Sequence, residues 1–371
     1  MTAARLLHVF QNFDTGGIQL RTAAYINQSR CGWRHRILAW DGTYDAAQRI
    51  AKTADVTLLQ SQQPQGGLIR RLRQMARLIE AEKPDLLLTY NWGAVEAALA
   101  NALFCGVPHV HHEAGFGVEE AKRQLPRRVW FRRLALRRTR HIIVPSRTLV
   151  AVIDNIWKLP PAKVRRIPDG IDIARFSTPP DPQALPGFVR RPGDVVVGTV
   201  TPLRPEKNIG RFLRMIAALK ARGLPVRALI VGDGAERPGL EALAQALGLA
   251  ADVHFAGFIS AVEKVYGLCD VFAITSETEQ LPNGVLQAMA ARRPVVGTDV
   301  GDIAVMVAAA NRPFVVAVED EAALADAAAQ LLTDPALRVR LGNDNHAQAA
   351  AEYGLDAMVA AYDMVYREAL R

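Results

Sequence analysis

The sequence reads Asp270-Val-Phe-Ala-Ile-Thr-Ser-Glu-Thr-Glu-Gln-Leu-Pro-Asn-Gly-Val-Leu-Gln-Ala-Met-Ala290 where its pattern is clearest. The apolar run up to Thr275 is typical of a short buried strand. Apolar residues from Val285 to Met289 then recur at the spacing of a helix face. The residues between these two runs, Glu279 to Asn283, are therefore predicted to form a turn that leads from a strand into a helix.

That turn has the properties of a ligand-binding site. In open parallel sheets, ligands bind at the carboxyl ends of the strands. Pro282 suits the first position of a helix and Asn283 is a candidate cap, so the helix is predicted to begin there. The start of a helix offers free backbone N–H groups and the positive end of the helix dipole, both of which suit a diphosphate.

The turn resembles the donor-binding signature of the retaining GT-B glycosyltransferases of family GT4. In that family a Glu opens the loop, Pro-Asn begins a helix, and a second Glu follows eight residues after the first. Glu279, Pro282 and Asn283 match this pattern, whereas Gln287 stands at the position of the second acid. The alternative interpretation is an ordinary turn that carries a surface Glu.

Length and composition indicate a two-domain protein. The chain has 371 residues, of which 50% are hydrophobic and 22% are charged, enough for about two domains with a core each. No apolar run approaches the roughly 18 residues of a membrane span, and the N-terminus lacks the layout of a signal peptide. Cys31, Cys105 and Cys269 are far apart and suggest neither a disulfide nor zinc. We therefore expect a cytoplasmic protein.

The net charge and the aromatic content of the chain limit which classes of binding partner are expected. A formal net charge of +8 would suit nucleic acid, an anionic membrane or a phosphate-rich substrate. Aromatic residues make up only 6% of the chain and do not alternate with basic clusters, so a base-stacking surface is not expected. Nucleic acid is therefore not a predicted partner.

Strands and helices alternate along the chain, which predicts α/β domains with parallel, doubly wound sheets. A proline-rich segment without periodicity divides the chain into two such domains. The resemblance implies the GT-B fold, in which two Rossmann-like domains face a central cleft and a last helix crosses back to the first domain. The predicted parts are an N-terminal acceptor-binding domain at 1–168, a linker at 169–192, a nucleotide-sugar-binding domain at 193–350 and a C-terminal helix at 351–371.

The strands of both domains are predicted from short apolar runs. Those of the first domain are Leu6–Phe10, His35–Ala39, Val56–Leu59, Asp85–Tyr90, Val107–His111, His141–Pro145 and Lys163–Pro168. Those of the second domain are Val195–Val200, Val226–Val231, Val253–Phe255, Asp270–Thr275, Val295–Thr298 and Phe314–Ala317.

A basic loop follows the first predicted strand of the second domain. It reads Val197-Gly-Thr-Val-Thr-Pro-Leu-Arg-Pro-Glu-Lys-Asn208 and resembles the Gly-Arg-Leu-x-x-x-Lys-Asn loop of the family. Lys207 matches, Pro202 stands at the Arg position, and Arg204 is a candidate substitute two residues further on. The resemblance implies that these cations neutralise the leaving diphosphate, and such preorganised charge is often the largest catalytic contribution. The alternative is a solvated loop.

Three turns that contain glycine resemble further donor-binding loops of the family. Gly16 and Gly17 follow the first strand, Gly232 and Gly234 form a Val-Gly-x-Gly turn, and Phe258 follows a Phe-x-Gly turn near which the nucleobase lies in the family. Glycine lets the backbone approach a ligand closely. The alternative for each is ordinary turn geometry. The Gly-Gly pair is not a Gly-x-Gly-x-x-Gly motif, which argues against a dinucleotide-dependent oxidoreductase.

Two histidines and a Glu end a predicted strand of the first domain, at His111-His-Glu113. The family often has a His here that contacts the transferred sugar. Adjacent residues of a strand point to opposite faces, so at most one of His111 and His112 faces the cleft. Glu113 is the nearby carboxylate that would act as a base on the acceptor. A structural role is the alternative for either histidine.

The segment from Lys122 to Arg140 is strongly basic and carries no acid, and a smaller basic cluster spans Arg70 to Arg77. Many members of the family act on lipid-linked acceptors, and basic helices would then contact anionic headgroups. A helical wheel does not separate apolar from basic residues here. A solvated face with Arg stems over the core is therefore the alternative to an anionic membrane surface.

The resemblance predicts a retaining glycosyltransferase of the hexosyl type. It would move a sugar from a nucleotide-diphosphate sugar to a glycan or lipid-linked glycan of the cell-surface polysaccharide or lipopolysaccharide type. Lys207, with Arg204 and the helix start at Asn283, would stabilise the leaving diphosphate. Glu279 would hold hydroxyls of the transferred sugar and Gln287 the ribose. The backbone of Gln280, Leu281 and Pro282 would assist them.

No Asp-x-Asp motif follows a strand suitably, so neither a metal nor a cofactor is predicted apart from the donor substrate. The expected location is cytoplasmic, peripheral to the inner face of a membrane. Two alternatives share the fold. One is a sugar-nucleotide epimerase, which needs no acceptor; the other is a degenerate transferase that only binds the donor, which Pro202 and Gln287 favour.

Overall fold

The structure is a computed structural model that describes residues 3–60, 63–116, 120, 123–185 and 187–371. Lys122, at the start of the basic segment, lies outside the described residues. The chain forms two compact units. Unit 1 comprises Met1–Gly170 and Asp356–Arg371, and unit 2 comprises Ile171–Leu355.

Unit 1 is built on a parallel sheet with strand order β3-β2-β1-β4-β5-β6-β7. Its strands are β1 (Arg5–Phe10), β2 (Arg34–Ala39), β3 (Val56–Leu59), β4 (Leu86–Tyr90), β5 (His109–His112), β6 (His141–Val144) and β7 (Val164–Arg166). Its helices before the unit boundary are α1 (Gly17–Gln28), α2 (Leu68–Glu82), α3 (Val95–Ala100), α4 (Pro126–Ala135) and α5 (Arg147–Val152).

Unit 2 repeats this architecture with strand order β10-β9-β8-β11-β12-β13, again parallel. Its strands are β8 (Val195–Val200), β9 (Val226–Val231), β10 (Val253–Gly257), β11 (Val271–Ile274), β12 (Val295–Thr298) and β13 (Val315–Val316). Its helices are α6 (Ile173–Phe176), α7 (Ile209–Ala221), α8 (Arg237–Ala246), α9 (Asn283–Ala290), α10 (Ile303–Met306), α11 (Glu321–Thr333) and α12 (Pro335–Glu352).

The central strands are buried on both faces. Strand β4 has no half-buried or exposed residue, and neither do β11 and β12. Helices cover both faces of a parallel sheet, so its strands are continuous apolar runs rather than alternating ones. This explains why short apolar runs in the sequence predict the strands of both sheets.

The last helix, α13 (Leu355–Leu370), belongs to unit 1 apart from its first residue. Its buried Tyr366 hydroxyl lies 2.9 Å from His112 Nε2. Asp363 Oδ1 accepts hydrogen bonds from Tyr25, Ser29 and Trp33 of unit 1, at 2.7, 2.8 and 3.2 Å. These contacts attach the C-terminal end of the chain to the core of unit 1.

The prediction of two Rossmann-like domains with parallel sheets is confirmed. One detail of the central turn is wrong, because α9 begins at Asn283, while Pro282 precedes it in an extended conformation and no side chain caps the helix. In each sheet the strand order reverses at one place, between β1 and β4 in unit 1 and between β8 and β11 in unit 2. Open α/β sheets bind ligands at such switch points, beyond the carboxyl ends of the strands.

Candidate active site

Lys207 and Glu279 meet at the switch point of unit 2. Lys207 ends a short 3-10 turn after β8, and Glu279 lies on the loop after β11. Lys207 Nζ donates a hydrogen bond of 2.7 Å to Glu279 Oε1, and the hydroxyl of Ser276 donates another of 2.7 Å to the same oxygen. The two charged side chains are 19% and 10% exposed, so the pair lies at the surface but is largely shielded.

A second set of contacts holds these two loops together. Glu277 Oε1 accepts hydrogen bonds from Asn208 Nδ2 at 2.5 Å and from the buried Arg211 at 2.7 Å. The amide of Glu277 also donates to the carbonyl of Glu206 at 2.8 Å. Asn208 has a positive φ of 41°, and its side chain caps α7 by accepting from the amide of Arg211. The position of Lys207 is thus fixed by the residues on either side of it.

Glycine is required at three close backbone contacts between the loops of this site. Gly232 has a φ of 135°, and a Cβ there would collide with the carbonyl oxygen of Thr201, in the loop before Lys207. Gly301 has a φ of 60°, and a Cβ there would collide with the carbonyl oxygen of Glu279. Both residues therefore allow close approach between backbones, and Gly234 does the same against Leu203.

Arg204 and Phe258 lie at the surface of unit 2. Arg204 precedes the 3-10 turn of Lys207, its side chain is exposed, and it forms no ion pair with a described residue. Phe258 directly follows β10, whose last residue, Gly257, has a positive φ, and Phe258 is 75% exposed. A large exposed aromatic ring at the carboxyl end of a strand is a suitable stacking surface for a base.

Further predicted donor residues lie at the start of α9. Leu281 and Pro282 are buried, Gln280 is half-buried, and its carbonyl accepts from the amide of Asp302 at 3.0 Å. Gln287, one turn into the helix, accepts a hydrogen bond of 2.7 Å from the hydroxyl of the buried Tyr266. Its Oε1 therefore has a partner, whereas its amide NH₂ group donates no hydrogen bond to another described residue.

Gly16 and Gly17 lie in unit 1, at the switch point of the first sheet. Gly16 is the extended residue before α1, and its amide donates to the carbonyl of Asp14 at 2.8 Å. Helix α1 begins at Gly17. The two glycines are thus close to the carboxyl end of β1, as the sequence predicts, but in unit 1 rather than with the other predicted donor residues.

The strand-end residues of β5 point into the interior of unit 1. His111 and His112 are 0% and 1% exposed, on opposite faces of the strand. His111 Nδ1 lies 2.8 Å from the Thr89 hydroxyl, and His112 stacks on Tyr90 with ring centroids 4.7 Å apart. Burial and the nearby Arg21 hold the pKa of His112 well below its usual value, so this ring is neutral.

Glu113 is also fully buried. Its Oε2 lies 3.7 Å from His111 Nε2 and 3.8 Å from Arg132 Nε. The carboxylate therefore faces a buried guanidinium and an imidazole. Neither His111 nor Glu113 is exposed to an acceptor in this structure.

Sequence reasoning did not single out four residues that shape the site of unit 2: Ser276, Glu277, Arg211 and Tyr266. Their signal is weak because Ser, Glu and Arg on loops and helix ends are normally solvated. Among the described residues, no group of three or more His, Cys, Asp or Glu side chains is placed to hold a metal ion. In the same described part, no helix has both the length and the apolar character that crossing a membrane requires.

Comparison with known proteins identifies the family of both halves of the chain. The family model described as "Glycosyl transferases group 1" matches residues 186–348, and the "Glycosyl transferase 4-like domain" model matches residues 16–170. The alpha-D-kanosaminyltransferase of Streptomyces kanamyceticus is 32% identical over 184 residues, 49% of this chain and 47% of its own length. The D-inositol 3-phosphate glycosyltransferase of Stackebrandtia nassauensis is 28% identical over 320 residues, 78% of this chain and 72% of its own.

A solved structure shares the fold. The structure of Anabaena HepE in complex with UDP has a TM-score of 0.81 at 18% identity, covering 98% of this chain and 100% of that one. The same protein has been solved with UDP-glucose. The matched segment of the kanosaminyltransferase spans about half of that protein's length.

Proposed function

This chain belongs to the GT4-type glycosyltransferases of the GT-B fold, and from that membership we propose that it transfers a sugar from a nucleotide-diphosphate sugar to a glycan or lipid-linked glycan. The observation that carries the proposal is the Lys207–Glu279 pair, 2.7 Å apart at the switch point of unit 2. The pair places one cation and one carboxylate where a doubly wound sheet binds its ligand.

Lys207 has the right chemistry for the leaving diphosphate. An ammonium group has three N–H donors, and one of them is used by Glu279, which leaves two for phosphate oxygens. Exposed Arg204 is a second cation on the same loop. When the bond between the sugar C1 and the diphosphate oxygen breaks, negative charge develops on that oxygen, and a fixed cation stabilises it.

Glu279 has the right chemistry for the transferred sugar. Its Oε1 accepts from both Lys207 and Ser276, so its orientation is fixed, and its Oε2 remains for a sugar hydroxyl. The NH₂ group of Gln287 is left for the ribose, since its oxygen is held by Tyr266. In this proposal Gln287 forms a neutral hydrogen bond to the ribose, at the position where the family signature has a charged Glu.

We further infer a retaining, metal-independent substitution on one face of the sugar. The acceptor oxygen bonds to C1, the acceptor proton moves to the departing phosphate oxygen, and the nucleoside diphosphate leaves. Glu277, two residues before Glu279, is held by Asn208 and Arg211, so it supports the loops rather than attacking the sugar. Lys207 and Arg204 supply the positive charge that the diphosphate needs.

The test is product analysis with a panel of UDP-, GDP- and ADP-sugars. The proposal expects free nucleoside diphosphate to be released from at least one donor. In the glycoside product, the anomeric proton signal should show that the anomeric carbon keeps the configuration it had in the donor. Inversion of that configuration would overturn the retaining mechanism. Interconversion of donor sugars without nucleotide release would instead identify an epimerase, and tight donor binding without any turnover would identify a degenerate transferase.

The outer surface of α4 supports a peripheral membrane location. Trp130 is 63% and Leu134 is 39% exposed on this helix. Arg138 donates to the carbonyl of Ala102, next to the exposed Leu103 and Phe104. Exposed apolar side chains among arginines are typical of surfaces that bind anionic headgroups and insert apolar groups beneath them.

Not every arginine of the basic segment is available for lipid. Arg132 is fully buried, and Arg133 donates to the carbonyls of Ile156 and Trp157. We therefore expect Trp130→Ser to reduce sedimentation with anionic vesicles. Val339→Ser is the matched control, because Val339 is 65% exposed on α12 of unit 2. Equal sedimentation with anionic and neutral vesicles, or no effect of added salt, would contradict the proposed peripheral membrane location.

A further inference from the structure

Unit 1 has a cavity of about 450 Å³ at its own switch point. Gln11 follows β1, and Trp92 and Gly93 follow β4, the two strands between which the order of the sheet reverses. Trp40, which follows β2, lines the same space. The cavity therefore lies where the fold places a ligand, and its volume is within the range of small-molecule sites.

The wall of the cavity combines apolar rings with amides. Trp40, Trp92 and Phe131 supply aromatic groups. Gln11 supplies a side-chain amide that forms no hydrogen bond with another described residue. Gly93 is needed beside it, because a Cβ at Gly93 would collide with Cβ of Gln11. Such a wall suits a ligand with apolar C–H groups on one side and hydroxyl groups on the other.

The charged residues of the cavity neutralise each other. Arg71 donates to both carboxylate oxygens of Glu96, at 2.9 and 2.6 Å, and also to the carbonyl of Gly66 at 2.9 Å. A bidentate pair of this kind has no net charge. The described lining of the cavity thus offers no unpaired cation for a phosphate, in contrast to the loop of Lys207, and favours a neutral ligand.

Trp40 gives a second, independent indication of a polar ligand. Its side chain is 3% exposed, yet its indole Nε1 is buried without a hydrogen-bond partner among the described residues. Buried N–H groups are normally paired, because an unpaired one loses its hydration without compensation. A ligand hydroxyl in the cavity would provide the missing acceptor.

We propose that this cavity binds a neutral sugar ring of the acceptor. The inference rests on the proposed function, because it identifies the acceptor class of the same enzyme. The aromatic groups would pack against the C–H face of the ring, while Gln11, the Arg71–Glu96 pair and Trp40 Nε1–H would bind its hydroxyls. Acceptor recognition is thereby assigned to the loops after β1, β2 and β4, away from the buried Glu113.

The test uses methyl α- and β-glycosides of glucose, galactose, mannose and N-acetylglucosamine as probes of the full chain. Indole N–H signals of the ¹⁵N-labelled protein are followed during titration. We expect at least one glycoside to move the signals of Trp40 and Trp92 but not those of Trp33 and Trp130, which do not line the cavity. Gln11→Ala should weaken that glycoside about fivefold, the effect of losing one neutral hydrogen bond.

Gln48→Ala, an exposed glutamine outside the cavity, is the matched control and should leave glycoside affinity unchanged. Acceptor-independent hydrolysis of the donor is measured in parallel. If the donor is hydrolysed but no glycoside moves Trp40 and Trp92, the cavity is not a sugar site and the inference is wrong. If glycosides bind there but no donor is hydrolysed or bound, the sugar site stands and the proposed function fails.

Discussion

The two switch points of the molecule occupy the same place in two similar sheets but carry opposite chemistry. In unit 2, between β8 and β11, Lys207 and Glu279 meet on loops fixed by Arg211. In unit 1, between β1 and β4, the charged residues among the described lining of the cavity are Arg71 and Glu96, whose charges cancel. The fold therefore determines where a ligand binds, and the side chains determine whether that ligand is charged.

The buried arginine of α4, Arg132, extends this difference, because its role is structural. Arg132 is fully buried, donates to Glu120 at 2.8 and 3.0 Å, and its guanidinium lies within 4.9 Å of the ring centroids of Trp92 and Trp157. Removing one partner of a buried ion pair typically costs about 3–5 kcal/mol.

The largest expected effect is therefore on stability. Arg132→Ala should destabilise unit 1 by about 3–5 kcal/mol, because it removes the two hydrogen bonds that Arg132 donates to the buried carboxylate of Glu120. Hydrogen exchange should rise in peptides of unit 1 and stay unchanged in β8–β12 of unit 2. Arg128→Ala is the control, since Arg128 is more exposed and its contact to Glu120 is longer, at 3.4 Å. Equal loss of hydrogen-exchange protection in both units would contradict the expectation that Arg132 stabilises unit 1 only.

The next effect is on catalysis rather than on stability. Lys207→Ala should lower kcat by roughly 10²–10³, the usual result of removing one preorganised group that stabilises developing charge. The donor KM should change much less, because the charge on the diphosphate is greatest in the transition state. Lys220→Ala is the matched control, since Lys220 pairs with Asp252 away from the site. Arg204→Ala should show a smaller decrease in kcat than Lys207→Ala.

Lowering the pH should destabilise unit 1 more than unit 2, because of the buried histidines of unit 1. Burial holds the pKa of His8, His109 and His112 well below the usual value and lowers that of His35 to about 4. The unfolded chain binds protons below about pH 6.5 while these rings do not. Stability of unit 1 should therefore be complete above that pH and fall as the pH drops below it. His35 alone should contribute a loss of about 1.4 kcal/mol per pH unit down to its pKa of about 4.

Unit 2 has one histidine with a lowered pKa among its described residues, His254, and that ring is only partly buried. Hydrogen exchange at pH 7 and pH 5 compares the units directly. Unit 1 should lose protection first. If unit 2 opened first, the histidines of unit 1 would not be the acid-sensitive groups.

The smallest expected effect concerns Gln287. Gln287→Ala should weaken donor binding about fivefold, since it removes one neutral hydrogen bond of about 1 kcal/mol. Gln287→Glu should tighten donor binding up to about tenfold, because a carboxylate keeps the contact to Tyr266 and adds a charge-assisted bond. Tyr266→Phe is the control for orientation alone. Unchanged donor affinity in the alanine variant, by calorimetry, would place Gln287 outside the site.

The fold could be predicted from the sequence because parallel strands are apolar runs. The predicted strands Val195–Val200, Val226–Val231 and Val295–Thr298 have the bounds of β8, β9 and β12. The meeting of Lys207 and Glu279 follows from the same logic, since their loops leave adjacent strands at one edge of the sheet. The sequence predicts the start of α9 one residue too early, because Pro282 keeps an extended ψ of 120°.

The sequence could not show which residues become buried or brought together over long distances. Arg132 reads as one of many arginines in a basic segment, yet it is buried by Trp92 and Trp157, which lie far away in the chain. His112 is covered by Tyr366 of α13, more than 250 residues later. The cavity of unit 1 cannot be predicted for the same reason, because Trp40, Trp92 and Phe131 are far apart in the sequence and large aromatic residues are mostly buried in any fold.

Calorimetric titration of two ligands against two variants tests the difference between the switch points most directly. The ligands are the nucleoside diphosphate that the enzyme releases and the methyl glycoside that moves Trp40. Lys207→Ala should weaken the nucleotide by about tenfold or more and leave the glycoside unchanged, because only the nucleotide carries charge. Trp40→Phe, which removes the indole N–H, should weaken the glycoside about fivefold and leave the nucleotide unchanged. Unaltered nucleotide affinity in Lys207→Ala would contradict the assignment of the charged ligand to unit 2.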